Sequence, residues 1–229
     1  MSTDSSPRAR SIVLADRVDD VPRCVHGLPR TTCVFCSRSY WPAMLIWAGV
    51  LIIWWFTRGP GHPVVALILT TWTWLLGPRV AGPVMRRLPR HWFRVPAGER
   101  ILHRMLGVGI FGWLLERSGW NRHLAEPMRG FDGTRAGLPS LEGSVRGAAS
   151  AHGTCFAIHM LLAAVALFTG HPWGALLILL PGVVLHLYPV LLQRSIMLRL
   201  QPLLDKSGSR NSTVRASDKT TAQQSHKNA

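Results

Sequence analysis

Residues 41–76 read WPAMLIWAGVLIIWWFTRGPGHPVVALILTTWTWLL, and this stretch decides the fold. Two apolar runs, Trp41–Phe56 and Pro63–Leu76, flank the turn Thr57-Arg58-Gly59-Pro60-Gly61-His62. Neither run has the polar face that a surface helix of a soluble protein needs. Each is slightly shorter than the roughly 20 apolar residues that cross a bilayer. The second can continue through Gly77-Pro78 toward Met85 if Arg79 reaches back to the interface. The stretch therefore predicts a transmembrane helical hairpin over residues 41–85.

The pattern repeats near the other end of the chain. Thr154–Thr169 (TCFAIHMLLAAVALFT) and Gly174–Leu192 (GALLILLPGVVLHLYPVLL) are apolar runs around the turn Gly170-His171-Pro172-Trp173. Pro181 and Pro189 should kink the last run, because each removes a backbone donor. The fold class expected is thus an all-α membrane protein with about four transmembrane helices in two hairpins, 41–85 and 154–192.

Composition agrees with that division. The 229 residues combine a positive mean hydropathy of +0.17 with a formal charge of +15. Both hold at once only if apolar runs and charges are segregated along the chain. Ten tryptophans fit a chain with many headgroup boundaries. The first forty residues are polar and contain no apolar core of signal-peptide length, so the spans themselves are expected to direct the chain to the membrane. The arginines are dispersed around the spans and form no known nucleic-acid motif, so nucleic acid is not an expected partner. Membrane lipids are.

Between the hairpins, residues 86–153 are basic and rich in Gly and Pro. Within them Glu99–Arg117 (ERILHRMLGVGIFGWLLER) reads as a helix whose apolar centre is too short to span, and hence as interfacial or re-entrant. Residues 130–147 read as a loop. Residues 193–206 continue the last helix amphipathically, and 207–229 have the polar composition of a disordered tail. Turn 57–62 carries only Arg58, and turn 170–173 carries no Lys or Arg. The positive-inside rule then puts both termini and the middle segment in the cytosol of a multi-pass cell-membrane protein.

The N-terminal segment 1–40 contains Cys24, His26, Cys33 and Cys36. Four such donors, two of them from a Cys-x-x-Cys turn, suit a structural zinc ion in a reducing compartment. Such a knuckle could serve a non-catalytic membrane scaffold that binds a protein partner.

Other polar residues gather at the cytosolic ends of the second hairpin. His152 precedes the third run, and Gln193-Arg194 follow the fourth, so an antiparallel hairpin makes them neighbours. Glu99, His103 and Arg104 lie at the same level. A His near a carboxylate can act as a general base, and arginines can hold an anionic group. His159 and His186 lie inside spans, where helix packing is the ordinary use of such residues.

From Trp92 to Leu204 the motifs resemble the glycosyl-diaponeurosporenoate acyltransferases, membrane enzymes that esterify a sugar hydroxyl of a glycosylated carotenoid. The resemblance rests on Trp92 and Glu99, Leu106-Gly107-Val108, His152, the block Leu187-Tyr188-Pro189-Val190-Leu191-Leu192-Gln193-Arg194, and Arg199-Leu200. The chain departs from the family pattern at Ala149, His186 and Ser195-Ile196-Met197, where the family has Glu, Asn and a Tyr-Asn-Arg run. The resemblance implies an acyl thioester as co-substrate and a lipid-embedded acceptor. Position and resemblance together make His152 the expected base, Glu99 the group expected to orient it in place of the Glu missing at Ala149, and Arg146, Gln193, Arg194 and Arg199 the expected substrate-binding residues.

Overall fold

A computed structural model describes residues 40–206 apart from residue 130. These residues form helices and connecting turns, with no strand among them. Helices α1 (Tyr40–Arg58) and α2 (Pro63–Arg87) make the first hairpin. A single 3-10 turn, Arg90–Phe93, leads to α3 (Glu99–Met105) and α4 (Val108–Arg117). Next comes α5, a π turn at Asn121–Ala125 that runs into Glu126–Arg129. The second hairpin is α6 (Leu138–Phe168) and α7 (Pro172–Lys206).

Helices α1, α2, α6 and α7 are each long and apolar enough to cross a membrane. Their outward faces carry exposed Leu, Ile and Phe side chains, among them Leu45, Ile53, Phe56, Leu161 and Phe168. Around a bundle of this width, such a belt belongs against lipid. The inward faces form a core of Leu51, Val65, Ile68, Leu69, Ala163, Ala166 and Ile178, with α2 central to the packing.

Close backbone approaches fix the bundle at two points. A β-carbon at Gly174 would lie 2.6 Å from the Pro60 carbonyl oxygen, so the two hairpin turns press on one another at one end of the bundle. A β-carbon at Gly182 would lie 2.6 Å from His159 Cβ, which brings the backbone of α7 directly onto α6. Glycine is required at both places because nothing larger fits.

The expected kink in the last run takes a definite form. Residues Val183–Leu187 make a π turn just after Pro181, in which the Tyr188 N–H reaches the Val183 carbonyl. Pro189 has no N–H to offer the Leu185 carbonyl one turn earlier. The turn also carries His186 into the bundle, where it is buried.

Two expectations need correction. Residues 138–147 are not loop but the first turns of α6, which starts at Leu138 with Pro139 in its first turn. The reason is tertiary. Leu138, Leu141 and Val145 form a helical stripe that packs on Met197 and Leu200 of α7 and on Phe93 and Val95, a second core beyond the membrane-facing one. The interfacial helix is also two helices. Gly107 adopts a left-handed conformation (φ 66°) between α3 and α4. The break is tied down by Tyr188, whose hydroxyl donates to the Leu106 carbonyl at 3.0 Å. Ile101, Met105, Ile110 and Trp113 stay exposed along these two helices, as an interfacial position demands.

Candidate functional site

At the end of the bundle opposite the hairpin turns, a groove of about 430 Å³ opens between α6, α7, the end of α2 and the 3-10 segment. Its walls are mostly apolar, supplied by residues such as Val84, Leu88, Val95, Val145, Val190 and Met197. Arg146, Gln193 and Arg194 are the polar side chains that the sequence selected and the groove brings together.

Arg146 lies on the α6 stripe that the helical start at Leu138 makes possible. Its guanidinium carbon sits 4.6 Å from the centre of the Phe93 ring, and one terminal nitrogen is 3.6 Å from Glu142. Its Nε is buried with no hydrogen-bond partner among the described residues, and the same holds for Gln193 Oε1. One is a donor and the other an acceptor. Leaving either unpaired costs about 1–3 kcal/mol, so the groove holds two polar atoms that a ligand could satisfy.

Arg194 lines the groove but is already committed. Its Nε donates to Glu99 Oε2 at 2.8 Å and its Nη2 to Glu99 Oε1 at 2.5 Å. Nη1 donates to the Trp92 carbonyl at 3.3 Å. This fork-to-fork geometry is the strong form of an Arg–carboxylate contact, and it ties α3 and the 3-10 turn to α7. The hydrogen bonds from Arg194 hold the Glu99 carboxyl below its ordinary range, against a smaller opposing effect of burial. His103 stands one helical turn from Glu99, 3.7 Å away, and is buried. Burial lowers its pKa and outweighs the attraction of Glu99.

Among the described residues Glu99 is thus paired with Arg194 rather than hydrogen-bonded to His152, the partner expected for it. Both its oxygens are taken by Arg194, a better partner for a carboxylate than an imidazole across the bundle. Arg199 lies on an exposed side of α7 and does not line the groove. Cys24, His26, Cys33 and Cys36 lie outside the described residues. No three His, Cys, Asp or Glu side chains among the described residues converge as a metal site would require.

His152 is partly buried on the same stretch of α6 as Ala149 and Gly153, both of which line the groove. Its ring does not line the groove but turns toward α7. There His152 Nδ1 meets His186 Nδ1 at 3.2 Å. His186 Nε2 in turn meets the Thr73 hydroxyl of α2 at 3.2 Å. His159 packs against the same ring, with centroids 5.1 Å apart, and its own Nδ1 lies 3.0 Å from the Cys155 carbonyl. Cys155 Sγ reaches the Thr73 carbonyl at 3.2 Å. In the sequence, His159 and His186 read as packing residues, and nothing there marks Thr73. The one available signal was the spacing of His152, Cys155 and His159, which puts three polar residues on one face of a membrane helix.

No curated protein and no solved structure matches the chain. The family model described as glycosyl-4,4'-diaponeurosporenoate acyltransferase matches residues 88–206. That segment contains the groove's polar residues, the Glu99–Arg194 clamp, His152 and His186, and leaves out the first hairpin with Thr73. With more than half of its length inside the match, this chain belongs to the glycosyl-4,4'-diaponeurosporenoate acyltransferase family.

Proposed function

We propose that the protein transfers a fatty acyl group from a thioester donor to a hydroxyl of a lipid-embedded acceptor, a glycosylated carotenoid or glycolipid, at the cytosolic face of the membrane. The observation that supports this reading best is the groove. It offers apolar walls to a lipid chain, and beside them a buried donor at Arg146 Nε and a buried acceptor at Gln193 Oε1. A lipid with a polar, hydroxyl-bearing headgroup meets both requirements.

In this reading the acceptor hydroxyl oxygen attacks the thioester carbonyl. A C–O bond forms as the C–S bond breaks, the hydroxyl proton passes to His152, and the thiolate leaves. Arg146 supplies positive charge for the oxyanion that develops on the carbonyl. His152 suits the base because it lies on the stretch of α6 whose Ala149 and Gly153 line the groove.

The test is a mass-spectrometric lipid and pigment profile of cells with and without the gene. The expected result is loss of an acylated glycolipid or carotenoid ester, restored by wild type and not by His152→Ala. An unchanged profile in cells that express the protein would overturn the reading and favour the non-catalytic scaffold.

A further inference from the structure

We propose that Thr73 and His186 form a directional hydrogen-bond chain that fixes His152 with its proton on Nδ1 and its lone pair on Nε2. Thr73 and His186 are then positioning residues, acting from two other helices on a ring they hold but do not replace. The catalytic consequence rests on His152 being the base proposed above. The hydrogen-bond polarity itself does not.

Thr73 sets the polarity. Its hydroxyl has one proton and lies 3.0 Å from the Leu69 carbonyl oxygen, 3.0 Å from the Thr70 carbonyl oxygen and 3.2 Å from His186 Nε2. Carbonyl oxygens can only accept. If the hydroxyl donated to His186, its oxygen would face two carbonyl oxygens at 3.0 Å with no proton between them. The proton therefore points back to the helix, the usual choice of a threonine in a helix interior. His186 Nε2 must then carry the hydrogen and donate to Thr73 Oγ1.

The second link follows from neutrality. His186 is fully buried, has two other imidazoles as ring neighbours, and touches no carboxylate among the described residues. A cation in such a place inside a membrane bundle is expensive, and a neutral imidazole has one N–H only. With the hydrogen on Nε2, His186 Nδ1 is an acceptor. The 3.2 Å contact between the two Nδ1 atoms then requires His152 to donate from Nδ1. Its Nε2 is left as the basic atom.

The opposite polarity has a visible sink for the last proton, since Pro189 leaves the Leu185 carbonyl without its helical donor and His152 stands beside it. That polarity fails at the other end of the chain, at the two carbonyls that surround Thr73 Oγ1. His159 is fixed independently. Its Nδ1 faces the Cys155 carbonyl and so must carry hydrogen.

The logic is that of a general base whose tautomer is set by a third group, here a histidine in place of an acid. Asparagine and glutamine separate the two contacts of His186. Asn presents its amide near the position of Nδ1, and Gln near that of Nε2. His186→Asn keeps an acceptor for His152, whereas His186→Gln keeps only the link to Thr73.

The experiment is ring-nitrogen NMR of the full chain, labelled with 15N-histidine, in lipid nanodiscs, with the His152 signals identified by their loss in His152→Gln. Wild type and His186→Asn are expected to show His152 protonated at Nδ1. His186→Leu and His186→Gln are expected to shift it to the Nε2–H form that free imidazole side chains prefer. Acyl transfer should follow the tautomer. His186→Leu lowers kcat about 100-fold with KM changed less than twofold, and His186→Asn recovers most of that loss. A proton on Nε2 of His152 in the wild type, or a tautomer unmoved in His186→Leu, overturns the proposal. If the tautomers are as expected but no acyl transfer occurs, the chain of hydrogen bonds stands and the proposed reaction falls.

Discussion

Arg194 of α7 grips both carboxylate oxygens of Glu99 in α3, at 2.8 and 2.5 Å, across 95 positions of sequence. The contact is partly shielded, with the two side chains 27% and 23% exposed. It is more than a surface ion pair, because it holds α3 to the hairpin that lines the groove. Glu99→Ala and Arg194→Ala should each cost about 1.5–3 kcal/mol, the range for hydrogen bonds to charged groups. The double variant should lose clearly less than the sum, since the two residues act as one unit. Thermal unfolding in detergent measures this, and additive losses would mean that the clamp holds nothing.

His103 gives the same cluster a pH dependence of defined sign. Its folded pKa is lowered by burial, so the unfolded chain binds a proton that the folded chain resists. Stability from this group is complete above the unfolded value of about 6.5 and falls as the pH drops below it. Glu99 works in the same direction lower down. Its pKa is also depressed when folded, so its contribution is present above about 4.3 and is lost as the pH falls through the folded value. Unfolding temperatures between pH 8 and pH 2 should therefore fall in two stages. His103→Leu should flatten the upper stage and leave the lower one, and an unchanged upper stage would assign it to another group.

The spans were legible in the sequence because length and apolarity alone define them. Trp41–Phe56 could be little else, and the irregular turn between Pro181 and Pro189 follows from their missing N–H groups. The start of α6 was illegible because glycines at 143 and 147 argue locally for a loop, while the force that makes a helix is the packing of Leu138, Leu141 and Val145 on a helix sixty residues away. The groove's Arg146, Gln193 and Arg194 were found, Gln193 and Arg194 from their place at a helix end and Arg146 within a stretch that reads as loop. The partner of His152 was not. A carboxylate was expected, but Glu99 is drawn to Arg194, and the contact comes from His186, whose environment depends on a π turn that no local pattern announces.

Gly182 should be among the least replaceable residues. A β-carbon there would lie 2.6 Å from His159 Cβ and 2.8 Å from Cγ, atoms near the backbone that cannot swing aside. Gly182→Ala must separate α6 from α7, at a cost of about 1–3 kcal/mol for an overpacked core. It should also disturb the His186–His159 ring contact. Gly143→Ala is the control, because a β-carbon at Gly143 meets nothing within 4 Å and alanine favours the helix by roughly 0.8–1.0 kcal/mol. Opposite shifts in unfolding temperature are expected, and similar shifts would show that α6 and α7 are not packed as described.

The cysteine cluster at Cys24, His26, Cys33 and Cys36 predicts one zinc per chain. The test is metal content by plasma emission on protein purified without added metal, compared with Cys33→Ser/Cys36→Ser. Removing two of four thiolate or imidazole donors should abolish binding, since structural zinc needs a closed set of four. Substoichiometric zinc in wild type, or equal zinc in both proteins, would reduce the cluster to incidental cysteines.

Topology is the remaining prediction, and charge decides it. The two hairpin turns pack together at one end, where Gly174 meets Pro60, so they must lie on the same side of the membrane. The positive-inside rule assigns that side to the exterior, because the arginines cluster at the other end. Single cysteines at Thr57 and Trp173, both exposed, test this in a chain whose native cysteines are replaced by serine. An impermeant maleimide should label Thr57→Cys and Trp173→Cys on intact cells, but Lys206→Cys only after lysis. Labelling of Lys206→Cys on intact cells would put the groove outside, away from cytosolic acyl thioesters, and would remove the donor on which the proposed reaction depends.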